Sequence, residues 1–139
     1  MKRRYKIEFV GEGVPVVRLK LSSGVWIRAI VDTGSESTVI DYRFVQEHFD
    51  LFETKQSSRK IDVVTATGIE KRPLIIATCK SSLKRKIPIS CSVQDLSRII
   101  TYCNDEFKQD IKMILGSDIL KQYNAIIDYE SKELRFDKI

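Results

Sequence analysis

Much that would announce a function is scarce in this sequence. Its 139 residues include three cysteines, one histidine, one tryptophan and three prolines. Cys79, Cys91 and Cys103 are odd in number and lack metal-ligand spacing, which argues against both a disulfide framework and a zinc site. They are expected to be reduced and buried. The single histidine, His48, has no second histidine to share a metal with. It sits in an amphipathic stretch, residues 44–49, as a surface or helix-end residue. No metal and no cofactor are expected. No apolar run approaches the length of a membrane-crossing helix. Behind the charged start Met1–Lys6, the residues Glu8, Gly11 and Glu12 interrupt any signal-peptide core. The expectation is a cytoplasmic protein with no membrane partner.

Charge of one sign is also not concentrated. Lys and Arg number 24 against 19 Asp and Glu, a net charge of +5. The basic residues are dispersed, with short runs only at residues 2–4 and 84–86. Aromatic residues do not interleave with them as in single-strand binders, so no nucleic-acid partner is expected. What remains is an ordinary globular composition, 42% hydrophobic and 31% charged. The length suits a single domain over residues 1–139 that needs no staples.

The hydrophobic pattern is mostly of period two. Residues 6–9, 14–21 and 25–31 read as three strands, with glycines 11 and 13 in the first turn and Ser22-Ser23-Gly24 in the second. The third strand ends on the wholly apolar Ala29-Ile30-Val31, which implies burial on both faces. Thr38-Val39-Ile40 resumes a short strand. Asp41 is a good N-cap for a helix over 42–49. Residues 56–60 are polar and read as a loop. Residues 61–65 and 74–78 form two strands joined by 66–71, and 86–93 form another, with Pro88 suggesting an edge. A helix is plausible within 95–109. Met113-Ile114-Leu115-Gly116 is a second apolar strand stopping on a glycine. Ser117 or Asp118 can cap a short helix through Gln122, and residues 125–136 close the chain with a hairpin. Several short strands between turns indicate an all-β barrel or sandwich.

Asp32-Thr33-Gly34-Ser35 follows the apolar strand directly. A carboxylate at the end of a buried strand is costly unless hydrogen-bonded or functional. Small residues behind it allow a tight loop that offers backbone N–H groups and lets another chain come close. As a bare tripeptide, Asp-Thr-Gly also fits a plain turn in which the aspartate binds its own backbone two residues on.

The order of pieces separates these readings. The loop lies between an apolar strand and Thr38-Val39-Ile40. Far down the chain come Ile114-Leu115-Gly116, then Asp118-Ile119-Leu120 in a helical setting, then a hairpin ending in Leu134-Arg135-Phe136. This set resembles the retropepsin family of aspartic proteases over nearly the whole chain. The resemblance implies an all-β fold, a closed β-barrel of the retropepsin type with one or two short helices and a flap hairpin over residues 63–76. It implies that Asp32, Thr33 and Gly34 are catalytic. Substrate-binding residues would be Ser35, the flap residues Thr65, Ala66, Thr67 and Gly68, and Ile114, Leu115 and Gly116. Within the resemblance, Thr33 would tie the loop to its partner across the axis, and the hydroxyl of Ser35 would sit near the outer oxygen of Asp32.

Pepsin-like enzymes carry two such loops in a much longer chain. One loop implies a homodimer acting on a peptide or protein substrate. Retroviral members commonly place an arginine where this chain has Ser117, so Glu36 lacks the partner such an arginine would give. An alternative is a catalytically weak or inactive retropepsin-like module used for binding or dimerisation.

Overall fold

The computed structural model describes residues 3–21, 24–81 and 87–138. Ser22, Ser23 and the basic run at 84–86 lie outside the described residues. Ten strands make one sheet. They are β1 (Arg3–Val10), β2 (Val14–Lys20), β3 (Trp26–Val31), β4 (Val39–Asp41), β5 (Glu53–Thr65), β6 (Gly68–Ser81), β7 (Ile87–Gln94), β8 (Ile111–Leu115), β9 (Ala125–Asp128) and β10 (Glu133–Phe136). Among the described residues three α-helices, α1 (Tyr42–Glu47), α2 (Ser97–Phe107) and α3 (Ser117–Gln122), and a short 3-10 helix (Phe49–Leu51) punctuate them. The sheet order is β5-β6-β7-β4-β8-β3-β2-β1-β10-β9. The fold is thus mostly β, as expected. That order has two ends, β5 and β9, so the expected closure into a barrel is not seen among the described residues.

Alternation explains most of the strands. Along β2 and β3, Val17, Leu19, Ile27, Ala29 and Val31 point inward and form one core with Ile7, Ile40, Met113, Leu115 and Leu134. Apart from Ala29, each such side chain removed from water contributes about 1.5–3 kcal/mol. A smaller cluster of Val10, Val16, Cys103 and Ile111 lies where α2 packs on the sheet, with Phe107 and Ile30 against it. Tyr5 and Phe136 meet edge-on at 5.5 Å and pin β1 to β10. All three cysteines are free and buried. Asp41 caps α1 as anticipated, accepting from the Phe44 N–H at 3.3 Å. His48 ends that helix, its ring 4.4 Å from that of Phe44.

Four local expectations are corrected. The polar stretch 56–60 is not a loop but part of β5. Its register jumps from Gln56 opposite Ile75 to Lys60 opposite Pro73, a bulge placed where Pro73 has no N–H to donate. Its polarity reflects exposure on the outermost strand. The β5–β6 hairpin turns through Ala66-Thr67, with Thr65 paired to Gly68 at φ 135°, so strand pairing replaces the wider connection expected at 66–71. Pro88 marks an edge only locally, because β7 pairs with β4 at Ser92–Gln94 and is interior there. The N-cap of α3 is Gly116, without a side-chain cap. Asp118 is engaged elsewhere.

Candidate active site

Asp32 begins the turn that leaves β3. β3 runs parallel to β8, with Ile30 opposite Ile114 and Val31 opposite Leu115. β4, which follows the turn, pairs antiparallel with the other side of β8, Val39 opposite Ile114. The strand carrying Ile114-Leu115-Gly116 is therefore inserted between the strands before and after the Asp32 loop. Sequence reasoning brought these two segments together, and the structure does so as well.

Hydrogen bonds fix the loop. The Asp32 N–H donates to the Leu115 carbonyl at 3.0 Å, continuing the β3–β8 ladder by one residue. The Gly34 N–H donates to Asp32 Oδ1 at 2.9 Å, and the Ser35 N–H to the Asp32 carbonyl at 3.2 Å. Asp32, Thr33 and Gly34 are all exposed. The hydroxyl of Ser35 does not reach the Asp32 carboxylate but donates to the Ser37 carbonyl at 2.7 Å, closing the far side of the turn.

β8 stops against this loop. The Ser117 N–H donates to the Ser35 carbonyl at 2.7 Å. A Cβ on Gly116 would lie 2.6 Å from the backbone of Ser37 and 2.8 Å from the Ser35 oxygen. Gly116 has φ −95°, so closeness of approach rather than backbone conformation calls for glycine. Leu115 is 1% exposed and belongs to the core, whereas Ile114 faces the other way and is half-buried.

A link that sequence reasoning missed holds the crossing from below. Thr38, fully buried, donates its hydroxyl to Asp118 Oδ1 at 2.7 Å and its N–H to Asp118 Oδ2 at 3.1 Å. The same hydroxyl accepts from the Gly116 N–H at 3.0 Å. The signal was a threonine at the start of an apolar strand and an aspartate two residues past the glycine. Beside this link, Cys91 is held protonated well above the ordinary thiol range, mainly by burial and further by Cys79 and the Asp118 charge.

Thr65, Ala66, Thr67 and Gly68 occupy the turn of the β5–β6 hairpin. β7, β4 and β8 separate that hairpin from β3 in the sheet order. Within one chain the hairpin tip and the Asp32 loop belong to different parts of the sheet. Glu36 is exposed.

Comparison with solved structures bears on this arrangement. No family model matches the sequence, and no curated protein matches it. The retroviral protease-like domain of Ddi1 from Leishmania major superposes with a TM-score of 0.53 at 16% identity, over 88% of this chain and 83% of that one. A retropepsin-like aspartic protease from Rickettsia conorii gives 0.53 at 14% identity, over 98% and 90%. The fold is retropepsin-like. Basic 7S globulin from soybean also aligns, with a TM-score of 0.53 at 7% identity, over 97% of this chain but 50% of the globulin. In the retropepsin-like frame, the turn after β3 and the β8 segment that closes on it are the parts described above. The retropepsin resemblance read from Asp32–Ser35 and Ile114–Gly116 therefore agrees with independent neighbours in structure.

Proposed function

We propose that the chain is an aspartic endopeptidase that works as a homodimer, with two copies of Asp32 forming one active site. The observation that carries this reading is the Asp32 loop itself. The exposed Asp32 carboxylate accepts from the Gly34 N–H, the backbone N–H of Asp32 is tied to the Leu115 carbonyl of β8, and Gly116 makes room for the crossing. The sequence has one such loop, so a complete site needs a second copy.

Two carboxylates facing each other across a two-fold axis hold one proton between them, because both cannot ionise at close range. The ionised one takes a proton from a water molecule, whose oxygen attacks the scissile carbonyl carbon. The protonated one gives its proton to the carbonyl oxygen. The resulting gem-diol collapses: the carbon–nitrogen bond breaks, the proton taken from water goes to the leaving amine, and one hydroxyl proton returns to the carboxylate that donated, which leaves the acid product and restores the pair. Thr33 ties the two loops together across the axis. Gly34 and Ser35 present backbone groups to an extended substrate, which lies as an added strand. Ile114 lines the cleft, while Leu115 and Gly116 act through their backbone. The hairpin tip Thr65–Gly68 closes over the peptide and excludes water.

A second reading is a retropepsin-like module that binds or dimerises without cutting. It is favoured by Ser117, which stands where the resemblance expects an arginine. Cleavage of a denatured protein library from acid to neutral pH, with sedimentation at several concentrations, separates the two. The proteolytic reading expects cleavage by the dimer, and Asp32→Asn that still dimerises but no longer cuts. A wild-type dimer with no cleavage at any pH overturns it in favour of the module. A chain that stays monomeric at high concentration overturns the dimeric protease and leaves only the binding form of the module.

A further inference from the structure

β1 changes partners along its length. Residues Ile7–Val10 pair with β2, but Arg3–Lys6 pair with β10. β2 continues with β3 through Lys20. The two strands therefore diverge, and an open groove of about 700 Å³ lies between them, with Ile7 and Val16 among its lining residues. Its walls are cationic. Arg4, Lys6, Arg18, Lys20 and Lys132 line it, and Glu8 is the one carboxylate among the lining residues. That carboxylate already accepts from Gln109. Glu133 stands beside Arg4 at 3.7 Å.

Two features show that the positive charge of Arg18 and its ladder neighbour Arg28 is not matched among the described residues. Arg18 lies directly opposite Arg28 across the β2–β3 ladder, a like-charge pair that costs stability unless neutralised. Arg28 Nε is buried and has no hydrogen-bond partner among the described residues. At the groove's other end Trp26 is 51% exposed. The Arg18 guanidinium lies over its ring at 4.8 Å and the Lys20 ammonium at 5.8 Å. An indole already faced by two cations is a poor platform for a nucleobase. The Arg18 guanidinium can still bind a carboxylate from its outer edge.

We propose that this groove is a binding site for an acidic peptide segment, one carrying successive Asp or Glu residues. Trp26 and Asp32 stand at opposite ends of β3, roughly 20 Å apart at about 3.3 Å per residue. The groove is thus distinct from the Asp32 loop and does not depend on the proteolytic reading.

Trp26 is the only tryptophan, so its emission reports on the groove directly. The whole chain is titrated with a short end-capped Glu/Ser peptide, its Gln/Ser twin and oligothymidylate. The proposal expects a saturable change with the acidic peptide, weakening as salt rises. Lys6→Gln combined with Lys132→Gln leaves Arg18 and Lys20 over the indole. It should weaken binding by at least about tenfold, the factor for losing a charge-assisted hydrogen bond, without moving the unfolding midpoint. Absence of a saturable change, equal binding of the Gln/Ser twin, unaltered affinity in the double variant, or tighter binding of oligothymidylate would each overturn it.

Discussion

Replacing Gly116 by alanine puts a methyl carbon where β8 meets the Asp32 loop. That carbon would sit 2.6 Å from Ser37 C and O and 2.8 Å from the Ser35 oxygen, all backbone atoms. Ordinary contact begins at 3.4 Å, so β8 and the loop must part by most of an ångström. No flexible side chain is available to absorb the shift. Overpacking of this kind costs about 1–3 kcal/mol. Separation also strains the Ser117-to-Ser35 bond at 2.7 Å and the Gly116-to-Thr38 bond at 3.0 Å, each contributing about 1 kcal/mol. The sum is about 3–5 kcal/mol, a large part of the stability of an ordinary domain. For a chain of this length it corresponds to a fall in Tm of roughly 10–15 °C. Urea and thermal unfolding followed by circular dichroism measure it. Gly13→Ala is the control: nothing lies within 4 Å of its added carbon, and only its φ of 112° resists. If Gly116→Ala unfolds within about 1 kcal/mol of wild type, the close crossing is wrong and the geometry assigned to the loop goes with it.

Thr38→Val keeps the shape of the side chain but removes the hydroxyl shared by Asp118 and Gly116. It should cost about 1–3 kcal/mol in urea unfolding, with most of that recovered in Thr38→Ser; equal losses in the two variants would mean that packing, not the hydroxyl, matters. Burial raises the Cys79 thiol from its ordinary 9.0 to about 11. The folded chain therefore keeps a proton that the unfolded chain releases between those values. Stability from this group is complete below pH 9 and falls as pH rises toward 11, by on the order of 2–3 kcal/mol. The stability gap between wild type and Cys79→Ala should narrow over that interval, and a gap independent of pH would contradict the assignment.

What could be read from the sequence was local. Period-two alternation located β2, continuous apolar runs located the end of β3 and β8, and the Asp41 cap located α1. The Asp32 loop and Gly116 stood out because apolar strands stop abruptly at them. Features that depend on pairing between distant segments were not legible. The Thr38–Asp118 link joins residues 80 apart, and no local pattern announces it. The bulge opposite Pro73 resembled a loop because a polar outer strand and a loop share a composition. Whether the sheet closes is decided by which strands stand at its two ends, and composition does not register that. The cationic groove was hidden for a related reason. Its cationic residues come from β1, β2 and the turn before β10, and so appear dispersed along the chain.

The outermost strand has a consequence for how copies of this molecule meet. β5 ends the sheet, so one rim of its backbone faces outward, and such rims readily recruit further strands into fibres. Here the exposed rim carries Glu53, Lys55, Arg59 and Lys60, and its register jump breaks any straight run of donors and acceptors. At the other rim β9 is only four residues long. Both margins of the sheet are thereby poor templates for polymerisation, which leaves self-association to surfaces shaped for it.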